Sequence, residues 1–333
     1  MCLTHRYSGR ISLPTFLCKA VKIKVEYVPS LETMSPEVLN IEEIRCQLGR
    51  LETRLFGVGE RLLYLPTVDS TNTRAMQLAH ERPQEGVVVL TDSQTAGKGR
   101  LGRRWVDVSG HNVLCSTLLR PVFPPYLLVM LASLAVVDAV LETCGVSASI
   151  KWPNDVLIGN RKVAGILIET SHDAEGHLIA ILGIGVNVNG TVQDLAVPSP
   201  TGVSSVGTQP LSHTQVPLSA LATTLEIACG HHVSRETFIA HLLQSIEDVY
   251  LALQHEVQNT FTASIASKPV ARAIRERWRT HLSTLGRAIE VRQGNTVVSG
   301  IAEDVDETGE LLLRNHSGVV VTITWGDVGY SAG

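Results

Sequence analysis

The chain has 333 residues, 44% of them apolar and 18% charged, enough to bury a sizeable core over about two domains. Its net charge of −4 excludes a general polyelectrolyte binder, so any anion binding must be local. The longest apolar stretch, residues 126–137, is too short to cross a bilayer and ends at Asp138; it reads as a buried core helix, and no membrane partner is expected.

The N-terminal stretch carries Arg6, Arg10, Lys19, Lys22 and Lys24 before its first acid, Glu26. That composition is shared by organelle transit segments and by unstructured extensions, and Met34 would also serve as a start. A helix is expected from Ser35, with Pro36 at its first position and Glu37 at its positive end. Val38, Ile41, Ile44, Leu48, Leu51 and Leu55 give it one apolar face, and Gly57-Val58-Gly59 ends it. Residues 1–60 thus form an extension plus one amphipathic helix, too short and acidic for a winged DNA-binding module.

The main body is expected over residues 61–268. Residues 62–65 read as a strand, Ser70-Thr71-Asn72 caps a helix to about His80, and residues 86–90 form a buried strand. Strands are also expected at 112–119 and 147–152, on either side of the 126–143 helix. Gly159-Asn160 marks a tight hairpin between 156–158 and 163–168, and residues 173–176 turn into a strand at 178–188. Consecutive hairpins point to an α+β fold with a largely antiparallel or mixed sheet. Residues 198–217 read as a loop and 218–254 as helical. Short strands at 288–291, 296–301, 311–313 and 319–324 predict a small C-terminal β-barrel within 284–333.

The six cysteines are scattered without metal-like or disulfide-like spacing, which favours free thiols in a reducing compartment; the cytoplasm is expected. Neither the cysteines nor the twelve histidines yield a metal-ligand set.

Four stretches carry chemistry. In TAGKGRLGRRW, residues 95–105, glycines allow close backbone approach while Lys98, Arg100, Arg103 and Arg104 supply charge. The loop is not a P-loop, and one basic loop without a basic face elsewhere favours a phosphate-bearing small molecule over nucleic acid. In KWPND, residues 151–155, Pro153 imposes a bend with Asn154 and Asp155 expected to stand free. Lys162 is then either a snorkelling surface residue or a cation in a cleft, and read alone the surface position is the stronger. GIGVNVN, residues 183–189, fails as a dinucleotide fingerprint and reads as a buried strand ending in a polar turn. Ser70-Thr71-Asn72 is fully explained as an N-cap, though helix N-termini also bind polar ligand atoms.

In this order, Asp69-Ser70-Thr71-Asn72, QTAGKGRLGRRW, KWPND, RKVAGILIE and GIGVNVN together resemble the biotin–protein ligases. The match is strong over residues 61–190 and looser through GIAEDVDETGELLL. The resemblance implies a mixed sheet flanked by helices with an SH3-like C-terminal barrel. It implies ATP-dependent attachment of biotin, through biotinyl-5′-AMP, to a lysine of a biotin carboxyl carrier protein, with Mg²⁺ accompanying ATP. Lys162, Arg100 and Asp155 take the catalytic positions. Ser70, Thr71, Asn72, Gln94, Lys98, Gly99 and Gly165, with Arg100 and Lys162, match the biotin side. Lys98, Arg100, Arg103, Trp105, Asn154 and Asn187 match the nucleotide side.

Two departures stand out. Lys98 and Leu101 occupy positions where many relatives have arginine, losing a bidentate fork and a charge. The winged domain of the ligase/repressors is absent from the sequence given, so a ligase without repressor function is expected, with no nucleic-acid partner. A homodimer stays open. The rival readings are a lipoate or octanoate ligase or transferase of the same superfamily, and a non-catalytic biotin or nucleotide binder. The loop glycines suggest a mobile lid that orders over the adenylate.

Overall fold

The computed structural model describes residues 37–81, 84–191, 221–258 and 265–330. The basic N-terminal stretch and the loop expected at 198–217 lie outside the described residues.

Helix α1 (Ile41–Arg50) is shorter than expected at both ends. Asn40, not Ser35, caps it, accepting from Glu43 N at 3.1 Å, and Glu42 and Glu43 then meet the positive end of the helix. Beyond Arg50 the backbone is drawn to another partner: the buried Glu247 carboxylate accepts from the N–H groups of Arg54, Leu55 and Phe56 at 2.6, 2.8 and 2.9 Å. Ile44 and Leu48 are buried in the common core, so α1 is part of the body.

Seven strands build the main sheet: β1 (Leu62–Val68), β2 (Val88–Gln94), β3 (Asn112–Leu119), β4 (Ser149–Lys151), β5 (Asp155–Ile158), β6 (Arg161–His172) and β7 (Leu178–Asn187). Their order is β1-β2-β3-β7-β6-β5-β4. Only β1 and β2, joined through α2 (Thr71–Glu81), are parallel; the remaining pairs are antiparallel, giving a mixed sheet.

Helix α3 (Tyr126–Cys144) is apolar around its circumference and long enough to cross a bilayer. Twelve of its residues are buried instead within the protein, between the sheet and the later helices. The expected helix at 218–254 is broken by Gly230, in the left-handed region at φ 80°, into α4 (Leu225–Cys229) and α5 (Arg235–Gln258). A further helix, α6 (Pro269–His281), was not anticipated, because charged residues dominate it and only Ala271, Ile274 and Trp278 are buried.

The C-terminal strands β8 (Ala288–Gln293), β9 (Thr296–Val305), β10 (Leu311–Arg314), β11 (Val320–Ile323) and β12 (Asp327–Tyr330) form an antiparallel sheet of order β11-β10-β9-β8-β12. Strand β12 escaped the pattern reading, since Val328 alone is buried in it. This unit is seated on the KWPND bend. Trp152 donates its backbone N–H to Thr284 Oγ1 and its indole N–H to Gly309 O, both at 2.9 Å.

Candidate active site

The floor of the site is the centre of the sheet, and two sequence features place it there. A β-bulge interrupts the β5–β6 pairing: Val156 faces Ala164 but Leu157 faces Lys162, so Val163 is the extra residue. Bulges re-aim side chains. Strict alternation would put Lys162 on the buried face with Ala164 and Ile166; the bulge moves it into the row of Gly165, Leu167 and Glu169. On the next strand Gly165 pairs with Gly185, and Leu167 with Gly183.

Those glycines leave room for side chains lying on the sheet. A Cβ at Gly185 would stand 2.6 Å from the Trp105 ring, and one at Gly183 would stand 2.1 Å from Asn72 Oδ1. The GIGVN stretch is therefore a cradle for Trp105 and Asn72. Trp105 Nε1 is buried and has no hydrogen-bond partner among the described residues.

Above this floor a cavity of about 340 Å³ is lined by all fourteen candidate residues, Ser70 and Gly99 among them. One end is neutral. Ser70, Thr71 and Asn72 are buried at the start of α2, where Thr71 N donates to Gln94 Oε1 at 2.8 Å. Ser116 of β3, which sequence reasoning missed, donates to Asn72 Oδ1 at 2.6 Å and lies 2.7 Å from Thr71 Oγ1. Nothing in the β3 sequence distinguishes it from a core serine; only its register opposite Gly183 puts it behind Thr71 and Asn72.

The other end is cationic, and each charge has a partner. Lys162 Nζ lies 2.7 Å from Asp155 Oδ1 and 5.5 Å from the centre of the Trp105 ring. Its side chain is 35% exposed, so the free surface position expected from sequence alone is corrected to a cleft. Arg100 donates to Asn154 Oδ1 at 2.9 Å. Burial lowers the Arg100 pKa from its ordinary value, while Asp155 and Asp327 oppose the shift; the guanidinium remains charged. Asn154 is thus not free at its bend: its Nδ2 also donates to Ile166 O at 2.6 Å. Arg103 reaches Asp327 of β12 at 2.5 Å, and Lys98 reaches Glu169 at 3.1 Å. Asn187 is buried, donating to Thr223 O at 3.2 Å.

The glycine-basic loop is folded in this state. Gly99 N donates to Arg103 O at 2.7 Å, Trp105 N to Gly97 O at 3.0 Å and Ala96 N to Asp69 O at 2.8 Å. A Cβ on Gly97 would meet Trp105 O at 2.6 Å, so close packing is the physical reason for that glycine. Leu101 stands at the tip, 53% exposed, with φ 55° and ψ 36°, a left-handed conformation that costs a leucine about 1 kcal/mol.

Such a site can hold a polar, uncharged head group at one end and gather negative charge at the other. The chain matches the family model described as "Biotin/lipoate A/B protein ligase family" over residues 64–189 and "Biotin protein ligase C terminal domain" over residues 284–328. It is 34% identical over 259 residues to "Biotin--[acetyl-CoA-carboxylase] ligase" of Paracoccus denitrificans, covering 76% of this chain and 94% of the relative. It is 32% identical over 266 residues to "Bifunctional ligase/repressor BirA" of Bacillus subtilis, covering 79% and 72%. Among solved structures, "Biotin protein ligase from Aquifex aeolicus in complex with biotin and ATP" superposes with a TM-score of 0.62 at 26% identity, covering 81% of this chain and 99% of that one. The cradle, the paired cations and these likenesses agree, and the chain belongs to the biotin protein ligases.

Proposed function

We propose that this chain joins biotin to a lysine of a carboxylase's biotin carboxyl carrier domain, using ATP and passing through biotinyl-5′-AMP. The observation that carries this reading is the division of one cavity into a neutral hydrogen-bonding end and an end with Lys162 and Arg100. The ring end of biotin needs directed hydrogen bonds, supplied by Thr71, Asn72 and Gln94, with Ser116 bonded behind Thr71 and Asn72.

In the first step a biotin carboxylate oxygen attacks the α-phosphorus of ATP; the new O–P bond forms as the bond to pyrophosphate breaks. Two anions must meet, so the barrier falls only where cations are already in place. Lys162 supplies one, held in orientation by Asp155, and Arg100 supplies another, held by Asn154. Trp105 and Asn187 offer a flat ring and an amide on the nucleotide side. In the second step the carrier lysine's neutral amine attacks the acyl carbon, AMP leaves, and the amine sheds a proton. Asp155 stands where it can steer that amine or its proton.

Mg²⁺ belongs with the ATP. Asp155 is the carboxylate lining the cavity, which suits an ion held by one or two carboxylates plus substrate phosphates. When bound it would neutralise phosphate charge. The acidic net charge supports a protein acceptor over nucleic acid.

Pyrophosphate release from ATP and Mg²⁺ with biotin or lipoate as second substrate tests the reading. Biotin-dependent release supports it, lipoate-dependent release moves the chain to the lipoate branch, and failure of both acids to give release removes the enzymatic reading.

A further inference from the structure

Glu169 has no part in the chemistry above, yet it touches both halves of the site. It lies on β6 in the same row as Lys162, Gly165 and Leu167. Its two carboxylate oxygens are divided between different structures. Oε2 accepts from Asn72 Nδ2 at 2.8 Å, and Oε1 accepts from Lys98 Nζ at 3.1 Å.

The first contact sets a direction. An ionised carboxylate only accepts, so the Asn72 amide must turn its NH₂ toward Glu169. Its oxygen then faces the Ser116 hydroxyl at 2.6 Å. The floor leaves no room to escape, because even the bare Gly183 backbone is packed against Asn72 Oδ1. Asn72 is 3% exposed, so an amide turned the other way would leave its polar atoms facing wrong partners in a buried place. The hydrogen-bond polarity of the neutral end is therefore fixed from β6.

The second contact holds a loop. Lys98 belongs to the glycine-basic segment whose other end is held by the Arg103–Asp327 pair. Exposed ion pairs are weak and exchangeable, which suits a tether that must open to admit substrate.

We infer that Glu169 is a positioning residue coupling biotin recognition to loop closure: one carboxylate orients the Asn72 amide and tethers Lys98. This rests on the biotin-ligase reading for the identity of the substrate, whereas the tether itself does not.

The test uses the full chain with Glu169→Gln, which keeps shape and loses charge, and Lys98→Met, which removes the tether together with a cation lining the cavity and is therefore read by proteolysis only. Pyrophosphate release gives the KM values for biotin and ATP, and limited proteolysis of the substrate-free protein reports cleavage within residues 97–104. Glu169→Gln is expected to raise the biotin KM about tenfold while the ATP KM moves less than about twofold, as loss of a charged hydrogen bond at one end requires. Both variants are expected to speed loop cleavage. An unchanged biotin KM overturns the proposal, as does an equal rise in both KM values together with a lowered Tm. If the unsubstituted protein releases no pyrophosphate with biotin, the enzymatic reading fails separately. Proteolysis then decides the tether, and equal cleavage of Glu169→Gln and the parent overturns it.

Discussion

The two ends of the cavity are built on different principles. The neutral end uses short side chains on the start of α2 and on β2 and β3, most of them buried and bonded to one another. The cationic end uses long side chains, each paired with a carboxylate or amide: Lys162 with Asp155, Arg100 with Asn154, Arg103 with Asp327. Directional recognition is cheapest when donors and acceptors are preset, because nothing need be reordered on binding. Charge for a polyanion can be held in partly exposed pairs, which are weak enough for an incoming phosphate to compete for the same cation. The site thus has one half of buried, mutually bonded groups and one half of cations paired with neighbouring side chains.

Breaking the charged half at its centre should have the largest effect. Lys162→Ala is expected to slow adenylate formation by at least about a hundredfold, the usual cost of removing a positioned charge. Single-turnover adenylation measures it. The floor comes next. Gly183→Ala places a methyl group in the space of Asn72 Oδ1, 2.1 Å away, and is expected to weaken biotin binding by about tenfold or more. Calorimetric titration with biotin checks this, and unchanged affinity would mean that Asn72 does not touch the ligand.

A smaller effect is expected from the link between barrel and loop. Asp327→Asn removes the pair that Arg103 uses in the resting state, both partners being more than a third exposed. The ATP KM should move only a few-fold, about the scale of an exposed pair, and the difference should fade with added salt. A biotin KM that shifted instead would break the division into two halves.

The smallest effect lies outside the site, where Arg279 of α6 joins Asp304 of β9. The Arg279 hydrogen bond holds the Asp304 carboxyl below its ordinary range. A carboxylate depressed in the fold stabilises above its unfolded pKa and loses that contribution as pH falls through the folded one. Melting curves of Asp304→Asn and the parent should therefore differ at neutral pH and converge below about pH 4.

How far the sequence could be read follows the same physical lines. The hairpin at Gly159-Asn160, the 112–119 strand and the 126–144 helix were legible, because turn chemistry and apolar runs are local signals. The cationic loop and KWPND were legible as motifs. The face on which Lys162 lies was not, since a single bulged residue, Val163, reverses the alternation that any pattern reading must assume. Ser116 and Glu169 were missed for a related reason: their importance comes from which residue stands across the site, as with Ser116 opposite Gly183. Sequence separation hides such pairings. The loop glycines read as mobility, whereas Gly97 permits contact with the Trp105 carbonyl. Leu101 remains a leucine in a left-handed turn, and nothing in the structure explains the choice.

The most direct test of the whole account is transfer itself. The chain is incubated with ATP, Mg²⁺, biotin and a biotin carboxyl carrier domain, and the carrier is weighed by mass spectrometry while the nucleotides are separated. One biotinyl group is expected on the acceptor lysine for each AMP formed, and none on a carrier whose acceptor lysine is arginine. Formation of ADP, or AMP without modified carrier, would contradict it.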